Sequence, residues 1–287
     1  MASLKIIRKR ITSVKSTQKI TKAMKMVSAA KLRRAQEAAE AARPYADKIT
    51  GLLRNVAARV EGAPHPLLQT RDQPRHLDLL LVTADRGLCG GYNTNLIRKA
   101  ETFVHERGAD KVRFTIVGRR GFDYFKRRSV TIADKHINLF GRPDSALAQQ
   151  LAEQVAREYA SERSDGVYVI YNHFRSPLVQ VPTLQQILPI IPEESPGKDS
   201  ADYRYEPSEA DLLDRLLRRY ITVVILRAFL EAVASEHAAR MTAMDSATNN
   251  ATDMINRLTL EMNRARQATI TKELMEIIGG AEALRAS

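Results

Sequence analysis

The stretch Asp85-Arg86-Gly87-Leu88-Cys89-Gly90-Gly91-Tyr92-Asn93 comes closest, by residue type and spacing, to a chemical motif. It follows an apolar run and opens a predicted helix. A strand, a glycine turn and a helix in succession can hold phosphate on the helix N-terminal amides. The residues do not match GxGxxG, however, and no GxxxxGK followed by Ser or Thr occurs in the chain. A tight turn needing positive φ is the favoured reading of these glycines, with nucleotide binding as the alternative. Cys89 could serve as a nucleophile or simply sit in the turn as a free thiol. As the single cysteine it excludes an internal disulfide and a Cys-based zinc site. His65, His76, His105, His136, His173 and His237 show no metal-ligand spacing and no HExxH pattern. No Ser/His/Asp constellation stands out, so the residues specify no catalytic motif.

The charge pattern is more informative. The 287 residues carry a formal net charge of +12 and a pI near 9.9. No acid precedes Glu37, whereas Lys5, Arg8, Lys9, Arg10, Lys15, Lys19, Lys22, Lys25, Lys31, Arg33 and Arg34 all do. A basic segment points to a solvated surface or to an anionic partner: nucleic acid, acidic protein or membrane headgroups. Its cations run round several helix faces without aromatic side chains between them to stack bases, which weighs against nucleic acid. The longest apolar run, Tyr220 to Leu226, is far short of the roughly 20 residues that span a bilayer. The N-terminus has no apolar core of a secretory signal. Its basic, acid-free character is that of a transit peptide, but the stretch reads as a structured part of the fold.

Three regions must position these residues. From Ser3 to about Val60 helix formers dominate, with one Pro (Pro44, a candidate kink) and one Gly (Gly51). Ile7, Ile11 and Val14 follow a heptad-like spacing. Ala38, Ala42, Tyr45, Ile49, Leu52 and Val56 resume it after a slip in phase. Glu61 to Gln73 reads as a linker. From Arg75 to Pro192 short apolar runs alternate with helical stretches. Strands are expected at 77–83, 112–117, 166–172 and 179–188, and helices at 93–106, 119–127 and 145–161. That alternation implies a parallel or mixed α/β sheet. Pro192 to Pro207 is a second linker. A last helix starts after Ser208 as N-cap and ends at Gly279-Gly280. Leu212, Leu213, Leu216, Leu217, Tyr220, Val224, Leu230 and Val233 give it an apolar face, which Met241, Met244, Met254, Ile255, Leu258 and Met262 continue. Helices of about 55 and 70 residues make rods of roughly 80 and 105 Å. Helices that long need a partner, and each is the obvious partner of the other. The fold class is therefore α/β plus a long coiled coil. An antiparallel two-helix coiled coil is built from both termini (1–60 and 208–287) around a central Rossmann-like α/β domain (75–192).

Four segments resemble the gamma subunit of F-type ATP synthases of the bacterial type. Ser13 to Arg34 reads SVKSTQKITKAMKMVSAAKLRR, and Asp85 to Asn93 reads DRGLCGGYN. Ala238 to Asn249 reads AARMTAMDSATN, and Asn263 to Gly279 reads NRARQATITKELMEIIG. Order, spacing and total length agree along essentially the whole chain. The resemblance implies a non-catalytic central-stalk rotor, present as a single copy inside alternating alpha and beta subunits. It implies that rotation of the c-ring, driven by protons, drives conformational change in catalytic beta subunits, and that the chain regulates ATPase activity and proton flow. It implies partners in alpha, beta, epsilon and the c-ring, no cofactor, and a peripheral place on the cytoplasmic face of a bacterial inner membrane.

Carried over by position, Met24, Lys25, Arg266, Gln267, Thr271 and Glu273 match contacts with beta. Ile270, Leu274, Ile277 and Ile278 match a bearing tip in an apolar sleeve. Tyr203, Tyr205 and Glu206 match the foot that meets the c-ring and epsilon. Lys25 stands where some relatives carry an acid, a departure in the charge facing beta. Pro192 to Pro207 is short and holds no Cys, unlike the inserted segment of photosynthetic forms, so thiol regulation is not expected. Two readings from other classes stay open on the residues alone: a nucleic-acid-binding coiled-coil protein, and an α/β enzyme that uses the glycine turn.

Overall fold

The computed structural model describes residues 4–57, 65–72, 74–138, 145–191 and 209–285. Tyr203, Tyr205, Glu206, Ser208 and the 192–207 linker lie outside the described residues. The chain divides into two compact units: residues 1–27 with 241–287, and residues 28–240. Helices α1 (Leu4–Ala57) and α5 (Glu209–Arg285) contribute to both.

The larger unit is built on a five-stranded sheet. Its strands are β1 (Leu77–Val82), β2 (Val112–Val117), β3 (Thr131–His136), β4 (Gly166–Phe174) and β5 (Gln180–Leu188), in the order β3-β2-β1-β4-β5. β1 to β4 are parallel, and β5 returns antiparallel along β4. The central strand Leu77-Asp78-Leu79-Leu80-Leu81-Val82 is buried throughout, because helices cover both faces. Leu77, Leu79 and Leu81 point to one side, under α2 (Tyr92–Arg107) and α3 (Arg119–Phe125). Leu80 and Val82 point to the other, under α4 (Ser145–Ala160) and residues 213–232 of α5. Each fully buried leucine contributes about 2 kcal/mol through the area it removes from water. Asp78, the one polar residue of β1, is matched by Arg113 of β2, whose Nε and Nη2 donate to its two carboxylate oxygens at 2.6 and 2.9 Å. Arg113 also donates to Glu158 of α4.

β3 was not among the four expected strands. It is an edge strand whose side chains alternate between exposed and half-buried, so it lacks the apolar run that marks its neighbours. The expected linker 61–73 is, over its described part, packed rather than loose. Leu67 is buried, and Arg71 donates to Asp165, to Ser164 O and to Tyr159 O.

Three helix expectations need correction. α1 is a single helix that runs through the exposed Pro44. Its seam does not slip. Leu4, Ile7, Ile11, Val14, Gln18, Thr21, Lys25, Ser28, Leu32, Ala35, Ala39, Ala42, Ala46, Ile49 and Leu53 are all buried or half-buried and form an unbroken alternation of threes and fours, flanked by half-buried Met24, Gln36, Thr50, Gly51 and Leu52. Polar and alanine residues occupy its middle, which hides the period; Ala38 points outward, and Tyr45 lies off the seam, where its hydroxyl accepts from Arg219 Nε of α5 at 2.5 Å. In α5, Met254 is likewise exposed, and the seam of the smaller unit is Met241, Met244, Thr248, Ala251, Ile255, Leu258, Met262 and Ala265. Finally, α5 continues past Gly279-Gly280 to Arg285. Glycine weakens a helix by about 1 kcal/mol without breaking it, and Gly279 does not take the positive φ of a terminating cap.

Candidate functional site

Two places hold the residues singled out above. In the smaller unit, α1 and α5 pair through three polar contacts. Gln18 Nε2 donates to Thr252 Oγ1 at 2.7 Å, the Thr21 and Thr248 hydroxyls meet at 2.8 Å, and Lys25 Nζ donates to Asp245 Oδ1 at 2.6 Å. As the α1 partner advances from 18 to 25, the α5 partner retreats from 252 to 245, so the helices run antiparallel in constant register. Carried on at that register, Leu4, where α1 begins, falls opposite Arg266. Beyond this point α5 has no α1 residue beside it among the described residues.

From Arg266 to Gly279 every side chain is accordingly exposed, Gln267, Thr271 and Glu273 among them. Ile270, Leu274, Ile277 and Ile278 are 54%, 53%, 73% and 48% exposed. Their spacing puts all four on one face, an apolar stripe of a kind that helices normally bury. Met275 adds a fifth exposed apolar side chain. Met24 and Lys25 are both half-buried. Lys25 is held in the helix seam by Asp245, so its charge is partly answered within the chain.

In the larger unit, the glycine turn sits at the C-terminal end of β1. The strand order reverses between β1 and β4, and such a crevice is where doubly wound sheets bind ligands. The expected positive φ is found at one of the turn's three glycines, since Gly91 has φ −79° and Gly87 is not in that region. Gly90 has φ 56° and Leu88, a non-glycine, has φ 63° while 65% exposed. At neighbouring Gly118, φ 99°, an added Cβ would lie 2.0 Å from Thr83 O. Asn93 ties the turn to β1, since its Oδ1 accepts from Ala84 N at 2.9 Å. Asp85 Oδ1 accepts from the amides of Arg119 and Asn138 at 2.9 and 2.8 Å.

The crevice is filled by α5. Ser235 Oγ donates to Asn172 O at 2.9 Å, Tyr92 Oη donates to Ala232 O at 3.1 Å, and Arg240 Nη2 donates to Gly87 O at 3.2 Å. Arg240 also pairs with Glu236 at 2.6 Å, with their side chains only 11% and 7% exposed. Burial raises the Glu236 carboxyl, against the pull of Arg240. Burial, helped by Arg240 and Lys31, lowers His237 to about 4. Burial also pushes up the Cys89 thiol, which suits a packed side chain better than a nucleophile. The space a phosphate would need at the turn is taken by Arg240 and its neighbours. Reading the sequence did not single out Arg240, Glu236, Ser235 or Asn172. The Glu236–Arg240 spacing of four, within a helical stretch buried on every face, was the available signal.

Among the described residues no helix is long and apolar enough to cross a membrane. The fold and these two places define an α/β domain whose ligand crevice is closed by one of two antiparallel helices, one of which ends in a free apolar stripe. Residues 3–284 match the family model for ATP synthase. The chain is 53% identical over 288 residues to an ATP synthase gamma chain of Geobacter metallireducens, covering 99% of this chain and 100% of that one. It is 52% identical over 289 residues to that of Trichlorobacter lovleyi, again covering 99% and 100%. Its fold resembles a chain of the Euglena gracilis mitochondrial ATP synthase in an OSCP/F1/c-ring structure. There the TM-score is 0.68 at 22% identity, over 99% of this chain and 95% of that one. A chain from the central stalk/c-ring structure of the Tetrahymena thermophila enzyme gives 0.61 at 24% identity, over 79% and 99%. The chain belongs to the ATP synthase gamma chain family, the non-catalytic central-stalk subunit of the rotary enzyme.

Proposed function

We propose that this chain transmits torque between a membrane c-ring and the catalytic beta subunits, with the free end of α5 turning inside an apolar sleeve formed by alpha and beta. The observation that carries this reading is the stripe Ile270, Leu274, Ile277 and Ile278, exposed where α5 outruns α1. A rotating contact is best made apolar. Dispersion and burial hold it at any angle, whereas directional hydrogen bonds would fix one angle. Arg266, Gln267, Thr271 and Glu273, exposed beside the stripe, are polar groups that can engage beta in particular orientations. Met24 and Lys25, on α1 opposite Asp245 and well short of the stripe, are assigned to a separate contact with beta. Tyr203, Tyr205 and Glu206 are assigned to the foot on the c-ring and epsilon. The functional divisions of the chain are then the two helices, 1–60 and 208–287, and the domain 75–192 that joins them to the rotor. The chain works on the cytoplasmic face of a bacterial inner membrane, coupled to proton flow, and takes part in regulating ATPase activity.

The test is recovery from native membranes through a tag on this chain. Alpha and beta subunits and ATPase activity are expected to co-purify, with the activity retained by alpha and beta. A preparation lacking alpha and beta would sink the reading.

A further inference from the structure

We propose that the N-terminal edge of the sheet carries a binding site for a phosphate-bearing anion, at the end opposite the crevice that α5 fills. A cavity of about 440 Å³ opens there between the start of β1 and the end of α2, lined by Pro74, Arg75, Leu77, Glu106, Arg107 and Lys111. Three cations and one carboxylate line it.

Three of the neighbouring acids are already engaged. Asp165 accepts from Arg71 and from the backbone amides of Arg75 and His76. Asp78 and Glu158 are bound to Arg113. Asp110, beside Gly108, makes no ion pair among the described residues, so Arg75, Arg107 and Lys111 stand against the two carboxylates of Glu106 and Asp110. Among the described residues Arg75, Arg107 and Lys111 form no ion pair. The cavity therefore keeps an excess of positive charge that the protein does not answer itself.

The backbone around it is fixed. The amides of Arg75 and His76 are clamped by Asp165, and Leu77 N donates to Lys111 O at 2.8 Å. Gly108, at φ 94°, turns the chain between α2 and β2 so that Arg107 and Lys111 flank one opening. The Arg107 guanidinium lies over the Phe103 ring at 5.9 Å, which leaves its donors free for a ligand. Guanidinium and ammonium groups on a held backbone suit the oxygens of a phosphate, with Arg able to bind in a bidentate manner and Lys as a point charge. The ligand is either a free phosphate compound or a phospholipid headgroup; both present the same chemistry to the cavity.

The test uses the purified full-length chain at low ionic strength with two probes: pyrophosphate by calorimetry, and phosphatidylglycerol vesicles by co-sedimentation against phosphatidylcholine vesicles. The Arg107→Gln/Lys111→Gln variant is compared with Arg98→Gln/Lys99→Gln, which removes the same charge from exposed positions elsewhere on α2. The first variant is expected to weaken binding of at least one probe about tenfold and the second less than about twofold. Loss with pyrophosphate identifies a soluble phosphate site, and loss with vesicles alone identifies a headgroup site. No binding to either probe, or equal loss in the two variants, overturns the proposal, the latter by assigning any attraction to overall charge.

Discussion

Lys25 Nζ lies 2.6 Å from Asp245 Oδ1 across the antiparallel helices, in a seam position where an apolar residue would be usual. The two side chains are 41% and 46% exposed, so water screens the pair and its energy is modest. A double-mutant cycle with Lys25→Met and Asp245→Asn, followed by urea unfolding, should give a coupling of about 0.5 kcal/mol that shrinks at high salt. The pair's larger effect is on register, since a shift of one turn would separate the charges. A coupling above about 2 kcal/mol would mean that the pair is far drier than its exposure indicates.

Arg240 and Glu236 form a drier pair, and Arg240 also holds the glycine turn through Gly87 O. Arg240→Met leaves a buried carboxylate and an unsatisfied carbonyl. The expected loss is about 3 kcal/mol or more in chemical denaturation. Adding Glu236→Gln should recover part of it, because the stranded charge goes. If Arg240→Met cost under about 1 kcal/mol, α5 would not be a fixed plug in the crevice.

These pairs also mark what could be read beforehand. The sheet was legible where strands are buried on both faces: Leu77 to Val82 and Gly166 to Asn172 are apolar runs that no exposed element needs. β3 was not, because Thr131 to His136 is an edge whose half-polar alternation resembles a loop. The α1 seam was legible at Ile7, Ile11 and Ile49 but not at Gln18, Thr21 and Lys25, which put polar groups that pair across the interface at apolar positions, nor at Ser28, a buried polar residue. The stripe at Ile270 to Ile278 was visible as a pattern. Its exposure follows from register, which only the contacts at 18, 21 and 25 fix. The closure of the glycine crevice depends on residues some 150 positions downstream, Arg240 meeting Gly87, and local spacing cannot express that.

His237 should make stability fall on acidification. It is buried, its Nδ1 finds no hydrogen-bond partner among the described residues, and Arg240 and Lys31 face it. Its folded pKa of about 4 lies below the ordinary 6.5. Between those values the unfolded chain takes up a proton that the folded chain refuses. The contribution is therefore full above pH 6.5 and is lost as pH falls toward 4, amounting to roughly 2–3 kcal/mol. Glu236, raised by burial, acts with the opposite sign, its contribution being lost as pH rises. Comparing wild type with His237→Phe isolates the histidine. The variant should lose less stability between pH 7 and pH 4.5, by about 2 kcal/mol. Parallel curves would show that His237 protonates freely in the folded state.

The apolar stripe of α5 separates folding from function most cleanly. Ile270 and Leu274 are about half exposed and touch no other helix among the described residues. Replacing both with Ser should change the stability of the isolated chain by no more than about 0.5 kcal/mol, as for ordinary surface positions. In the assembled enzyme the same side chains are proposed to be enclosed, and each then contributes about 2 kcal/mol of burial. The double variant should therefore fold as well as wild type yet bind alpha and beta more weakly, and the assembled complex should hydrolyse ATP with less proton pumping per turnover. The readouts are unfolding of the free chain, its recovery with alpha and beta, and acidification of inverted vesicles at matched ATPase activity. A variant that loses stability alone would place the stripe inside this chain's own fold. One that keeps full assembly and full pumping would remove it from the bearing.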